Sequence, residues 1–148
     1  TSKISPQVLK NLIASLYLQE DKSREMVITI STFGYKYGLP LDSDLVFDVR
    51  FLPNPFHDEK LRPYRGDEPQ VSEYLSGFES TRKFLDEFLR FIDYLIPAYV
   101  EEGKSYLTIS IGCTGGKHRS VYISEKLRIH LAKHGLNVLL VHRDIGKE

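Results

Sequence analysis

The sequence predicts an α/β domain with a mainly parallel sheet and helices on its faces. Three observations predict it. Short apolar, β-branched runs recur along the chain. Segments with helical spacing separate the later ones. The order strand, long helix, strand, helix, strand then needs crossover connections, which parallel sheets use. The chain has 148 residues. That length fits one domain over residues 1–148 with a real core.

The elements follow in order. Ser5 before Pro6 is a helix start, with Ser as N-cap and Pro at the first helical position. Val8, Leu9, Leu12, Ile13 and Leu16 then share one helical face. The run EMVITISTFG predicts a strand over Met26 to Ser31, closed by Gly34. LVFDVRFL predicts a second strand, with Asp48 and Arg50 on one face. The stretch PNPFHDEKLRPYRGDEP is rich in Pro, Asp, Asn and Gly and predicts a long, functional loop. A short helix is expected over Val71 to Ser76. A longer one has Phe84, Leu85, Phe88, Phe91, Ile92 and Leu95 at helical spacing. Pro97 threatens to kink or shorten it, and Gly103 closes it. YLTISIG predicts a buried strand. The helix RSVYISEKLRIHLAKHG turns Val121, Ile123, Leu127 and Leu131 inward and ends at Gly135. NVLLVH predicts the last strand.

Composition narrows the function classes. Lys plus Arg number 20 and Asp plus Glu number 20, a formal net charge of zero. Indiscriminate binding to nucleic acid favours a basic domain, so that reading loses weight. A local basic patch stays open, from Lys60, Arg62, Arg65, Lys117 and Arg143 beside Tyr64. The one cysteine excludes an internal disulfide and a cysteine zinc cluster. It suits a reducing compartment, and a cytoplasmic location is expected. No apolar run is long enough to span a membrane, so no membrane partner is expected. No metal ligand set and no cofactor is assigned.

The chemistry concentrates in CTGGKHRS, Cys113 to Ser120, between a strand and a helix. Ligands bind at the carboxyl ends of strands in such domains. Unpaired N–H groups at a helix start attract anions, and the helix dipole adds to this. Gly115 and Gly116 let the backbone curl close to a ligand. Lys117, His118, Arg119, Thr114 and Ser120 add charge and donors, and an arginine can fork onto two phosphate oxygens. The expected ligand is a phosphate or sulfate group. The spacing excludes a Walker loop.

Cys113 and Arg119 also stand in a C-x5-R spacing, like the phosphate loop of the cysteine-dependent phosphatases. Gly112 precedes the cysteine where the protein-tyrosine phosphatases carry histidine. A general acid is also needed, for which Asp48 and Asp58 are candidates. The expectation is recognition without catalysis.

STFGYKYGLPLDSDLVFDVRFLPNP together with IGCTGGKHRSVYISEKL resembles the RapZ family of RNase adapter and nucleotide-binding proteins of bacteria. The resemblance covers the family's C-terminal domain. It implies that the N-terminal P-loop domain is absent, with TSKIS near the point where the two domains join. It implies a fold with some likeness to phosphofructokinase. It also implies sensing of glucosamine-6-phosphate and association into a homo-oligomer. Small regulatory RNAs, and an endoribonuclease to which one is presented, are the implied partners. The implied pocket is the loop Cys113 to Arg119, with Asp48, Arg50 and Lys36. Enteric members carry a functional histidine directly after the N-P pair. Here Phe56 holds that place and His57 follows, so His57 is a candidate only if the loop shifts. His130, His134 and His142 are expected to be structural or at the surface.

Overall fold

The structure is a computed structural model and describes residues 26–147. The helix expected after Ser5 lies outside the described residues. The sheet has four strands: β1 (Val27–Gly34), β2 (Leu45–Asp48), β3 (Tyr106–Cys113) and β4 (Asn137–His142). All are parallel, in the order β2-β3-β1-β4. The helices are α1 (Pro69–Ser76), α2 (Glu79–Glu102) and α3 (Arg119–Lys133). The chain is therefore an α/β domain.

Alternation along the strands decides where the core lies. Ile28 and Ile30 of β1 and Leu107, Ile109 and Ile111 of β3 are fully buried. They join Phe88, Ile92 and Ile96 of α2 and Ile123, Leu127 and Leu131 of α3 in one cluster. The described helices thus gather on one face of the sheet. The alternate positions read Thr29, Ser31, Thr108 and Ser110. Leu139 and Val141 stand on that second face and are half exposed.

Two expectations needed correction. β2 leaves the ladder after Asp48 rather than at Leu52. The Asp48 carboxylate accepts the Arg50 backbone N–H at 2.9 Å, a side-chain turn that competes with strand pairing. Pro97 does not shorten α2, which runs on to Glu102. The lost N–H bond is tolerated on a side of the helix where Asp93 and Pro97 face solvent. Phe91, on the helical spacing of α2, is 48% exposed. It sits at the margin, edge-on to Phe47 at 6.5 Å.

The first two turns of α3 are buried on every side, from Arg119 to Ser124. A single amphipathic stripe does not predict that. The sheet covers one side and the long loop after β2 covers the other. Gly66 sits in this contact: its N–H donates to the Lys117 carbonyl at 2.9 Å. A β-carbon there would fall 1.9 Å from the His118 carbonyl oxygen, so only glycine fits.

Candidate functional site

β1 and β3 end side by side, with Gly34 opposite Cys113 in the parallel register. The chain after β1 runs toward β2, and the chain after β3 runs through α3 toward β4. Each exit passes over the other strand, so the two loops meet at the carboxyl edge of the sheet, where ligands bind in such folds. A cleft of about 210 Å3 lies there. Cys113, Thr114, Gly115, Lys117, His118 and Arg119 form its floor and one side. Lys36, Asn54 and Phe56 complete its lining.

The loop's curl rests on glycines. Gly116 has φ +78°, a left-handed conformation that side chains disfavour. A β-carbon on it would meet the Gly34 nitrogen at 2.7 Å. The Lys36 N–H donates to the Thr114 carbonyl at 3.2 Å, tying the β1 exit to the loop.

Arg119 is the most constrained charge of the site. It is 4% exposed. One terminal nitrogen donates to the carbonyls of Arg50 at 2.5 Å and Leu52 at 3.1 Å. The other donates to Thr114 Oγ1 at 3.3 Å. Its Nε is buried without a partner. Burial pulls its pKa below the ordinary arginine value, while the nearby Cys113 and Asp48 oppose that. A guanidinium stays charged under such a shift. A buried cation held only by neutral oxygens is costly unless an anion answers it.

His118 is the N-cap of α3 and supplies no side-chain cap. Its Nε2 lies 3.0 Å from the Arg62 carbonyl, to which it must donate. The backbone N–H groups of Arg119, Ser120 and Val121 have no acceptor within the helix. They sit where the helix dipole is positive.

The candidates separate as follows. Thr114, Gly115, Lys117, His118 and Arg119 line the cleft with Cys113 and Lys36. Gly116 lies behind, packed on β1. Ser120 is fully buried, its Oγ 3.2 Å from Cys113 Sγ. Asp48 and Arg50 are not on the cleft wall. Their side chains pair in a two-pronged ion pair at 2.9 and 2.7 Å, and the Arg50 guanidinium lies 3.8 Å over the Tyr35 ring. Their link to the site is the Arg50 carbonyl that Arg119 grips. His57 is not brought to the cleft; it borders a separate surface depression with Asp58, Glu59, Lys60 and Tyr74. The cleft wall is Phe56, because the short helical turn Pro55–His57 presents one residue inward and the next outward.

Two contributors escaped the sequence reading. Asn54 lines the cleft and fixes the turn, its Oδ1 accepting the Phe56 N–H at 3.1 Å. The Asn-Pro pair is a turn signal that could have pointed to it. Asp144 has no such signal. It is 1% exposed and accepts the Gly34 N–H at 2.8 Å, beneath the Gly34–Gly116 contact. Arg143 and Lys147 also pair with it. Burial works to raise its pKa, but hydrogen bonds from Arg143, Lys147 and Gly34 prevail and lower it to about 2.

Two features bear on catalysis. Cys113 is 2% exposed at the base of the cleft. Asp48 has its carboxyl held below the usual range, chiefly by the Arg50 hydrogen bonds. Of the basic patch, Arg65 pairs with Asp67 and Arg143 with Asp144. Among the described residues, no group of three or more His, Cys, Asp or Glu could hold a metal ion. No described helix is long and apolar enough to cross a membrane.

These features define the class: an α/β domain whose strand, glycine turn and helix enclose a cationic cleft at the carboxyl edge of a parallel sheet. The family follows from comparison with known proteins. The model of the RapZ C-terminal domain matches residues 26–146, and the chain belongs to that family. A nucleotide-binding protein of Thermoanaerobacter sp. strain X514 is 51% identical over 148 residues, all of this chain and 52% of that protein. One from Caldicellulosiruptor bescii is 48% identical over all of this chain and 51% of its own length. One from Carboxydothermus hydrogenoformans is 50% identical over 99% of this chain and 51% of its own. The chain thus spans about half the length of these curated relatives.

Proposed function

We propose that this domain is a non-catalytic sensor of a phosphorylated small molecule, a phosphosugar such as glucosamine-6-phosphate. The observation that carries the reading is Arg119: a cation 4% exposed, on the cleft wall, with a buried Nε that nothing answers. It stands at the positive end of a 15-residue helix. Lys117 and Thr114 line the same cleft beside the start of that helix. A phosphate there would meet the charge and the open donors together.

The relatives carry the name of nucleotide-binding proteins. A cleft of about 210 Å3 is small beside the ~300–1,000 Å3 of sites for larger ligands. It fits a sugar phosphate better than a nucleoside triphosphate. In the longer protein, a ligand gripping Arg119 would bear on the turn at Arg50–Leu52. That turn is a route by which occupancy could reach an RNA or ribonuclease partner.

Isothermal titration with glucosamine-6-phosphate tests the reading. Saturable binding, weakened about tenfold or more by Lys117→Ala and by Thr114→Val, is the expected result. Arg119→Ala alone is a poor test, because two backbone carbonyls lose their donor. No heat with glucosamine-6-phosphate, other phosphosugars or inorganic phosphate would sink the proposal.

A further inference from the structure

Arg119 reaches out of the cleft to hold the turn that follows β2. In that turn the Val49 N–H donates to the Gly112 carbonyl at 2.9 Å, and the Leu52 N–H closes onto the Val49 carbonyl with a long bond of 3.3 Å. Val49 and Leu52 are buried, but Phe51 between them is 64% exposed. One Arg119 nitrogen, Nη1, donates to the carbonyls of Arg50 and Leu52, the residues before and after Phe51. The Phe51 ring lies edge-on to Phe84 of α2, with centroids 5.1 Å apart. Phe84 stacks on Phe88 at 5.2 Å, and Phe88 belongs to the core. Contacts thus run from the cleft wall through Arg119 and the turn to α2. The planar group keeps its other edge open. Nε is buried without a partner, and Nη2 has Thr114 Oγ1 at 3.3 Å. Nε and Nη2 point two N–H bonds the same way, the fork that takes two oxygens of one phosphate.

We infer that Arg119 is a coupler: an anion forked on its open edge tightens the Arg50–Leu52 turn and seats the Phe51 ring on α2. The inference rests on the phosphate reading of the cleft and adds how occupancy leaves it. A guanidinium is rigid and planar, so its two edges are not fixed independently. Held by the carbonyls and the long Thr114 bond, the group can still rock about Nη1. An anion on the Nε–Nη2 edge fixes the plane, and with it the direction of both Nη1 bonds. Linkage requires the reverse as well: whatever seats Phe51 favours the anion by the same factor. The edge-on pair of Phe51 with Phe84 bounds that factor at roughly 2- to 10-fold.

Calorimetry and amide hydrogen exchange test this, with glucosamine-6-phosphate and inorganic phosphate as the two probes. The proteins are the wild type, Phe51→Ala and Tyr94→Ala, each checked for folding by its melting curve. Phe51 does not line the cleft. Tyr94 stands further along α2 and is 73% exposed. In the wild type, a saturating probe should slow exchange of the Leu52 N–H by roughly 3-fold or more. Phe51→Ala should weaken binding of both probes by roughly 3- to 10-fold. Tyr94→Ala should leave their affinities within about twofold. Suppose a probe binds but leaves Leu52 exchange unchanged, or binds Phe51→Ala as tightly as wild type. Either result overturns the inference and leaves the phosphate reading standing. Equal losses in Tyr94→Ala and Phe51→Ala overturn it too, since a general loosening of α2 then explains both. If the wild type binds neither probe, the inference and the phosphate reading fall together.

Discussion

Gly34 and Gly115 touch backbone to backbone: a β-carbon on Gly34 would lie 2.5 Å from the Gly115 carbonyl carbon. This contact seats the loop on the end of β1, and it has no room for a methyl group. Gly34 has φ −105°, which any residue can adopt, so the constraint is purely steric. Gly34→Ala should cost about 3 kcal/mol, the upper end for forcing atoms into a packed site. Gly38 offers a control. It has open space around it, but φ +96° and ψ 156° lie in a region essentially reserved for glycine, so Gly38→Ala should cost about 2 kcal/mol of backbone strain with no clash. Urea denaturation of both variants checks the difference.

Asp144 clamps the same junction from below. Asp144→Asn should destabilise the fold by about 2 kcal/mol, the scale of a hydrogen bond to a charged group. The pH dependence has a definite sign. The folded-state pKa is about 2, below the ~3.9 of a free aspartate. The stability from this ionisation is therefore full above pH ~4 and lost as pH falls through about 2. The gap between wild type and Asp144→Asn should be constant near neutrality and shrink across that window. Thermal melts at stepped pH would reveal it; a gap that widens in acid would refute the assignment.

Arg119 should behave as two residues in one. It holds the carbonyls of Arg50 and Leu52 and also faces the cleft. Arg119→Ala should destabilise by about 3 kcal/mol, since buried acceptors lose their donor. Arg119→Lys keeps the charge but not the fork. It should lose less stability and still weaken phosphate binding by roughly tenfold. Melting temperature and phosphate titration, read together, separate the two roles.

Cys113 should be dispensable for chemistry. Wild type should not turn over an aryl phosphate above the buffer rate. Cys113→Ser keeps the contact to Ser120 Oγ and should bind phosphate within about threefold of wild type. Turnover that disappears in Cys113→Ser would establish a thiolate nucleophile instead.

Much of this architecture was legible locally. Helical spacing marks α2 and α3, and apolar alternation marks β1 and β3, because one face of each element must be buried. The strand, Gly-Gly turn and basic helix start mark the loop, because orphan N–H groups and glycine freedom are properties of adjacent residues. The long motifs around Gly34–Pro55 and Cys113–Leu127 carry the family. β2 was read too long because the rival turn at Asp48 is a side-chain bond that hydropathy does not register.

Other features belong to the tertiary structure alone. Asp144 reaches Gly34 across 110 residues of chain, and no periodicity links a tail residue to a strand end. Which of Phe56 and His57 enters the cleft depends on the direction of a three-residue turn, which Asn54 and Arg62 set. Arg119 reads in sequence as a free anion clamp; folding commits one of its nitrogens to the carbonyls at Arg50 and Leu52. The sequence by itself determined the kind of loop and the elements that flank it. Tertiary packing decided which side chains share its space, because only the folded chain brings four distant segments to one edge of the sheet.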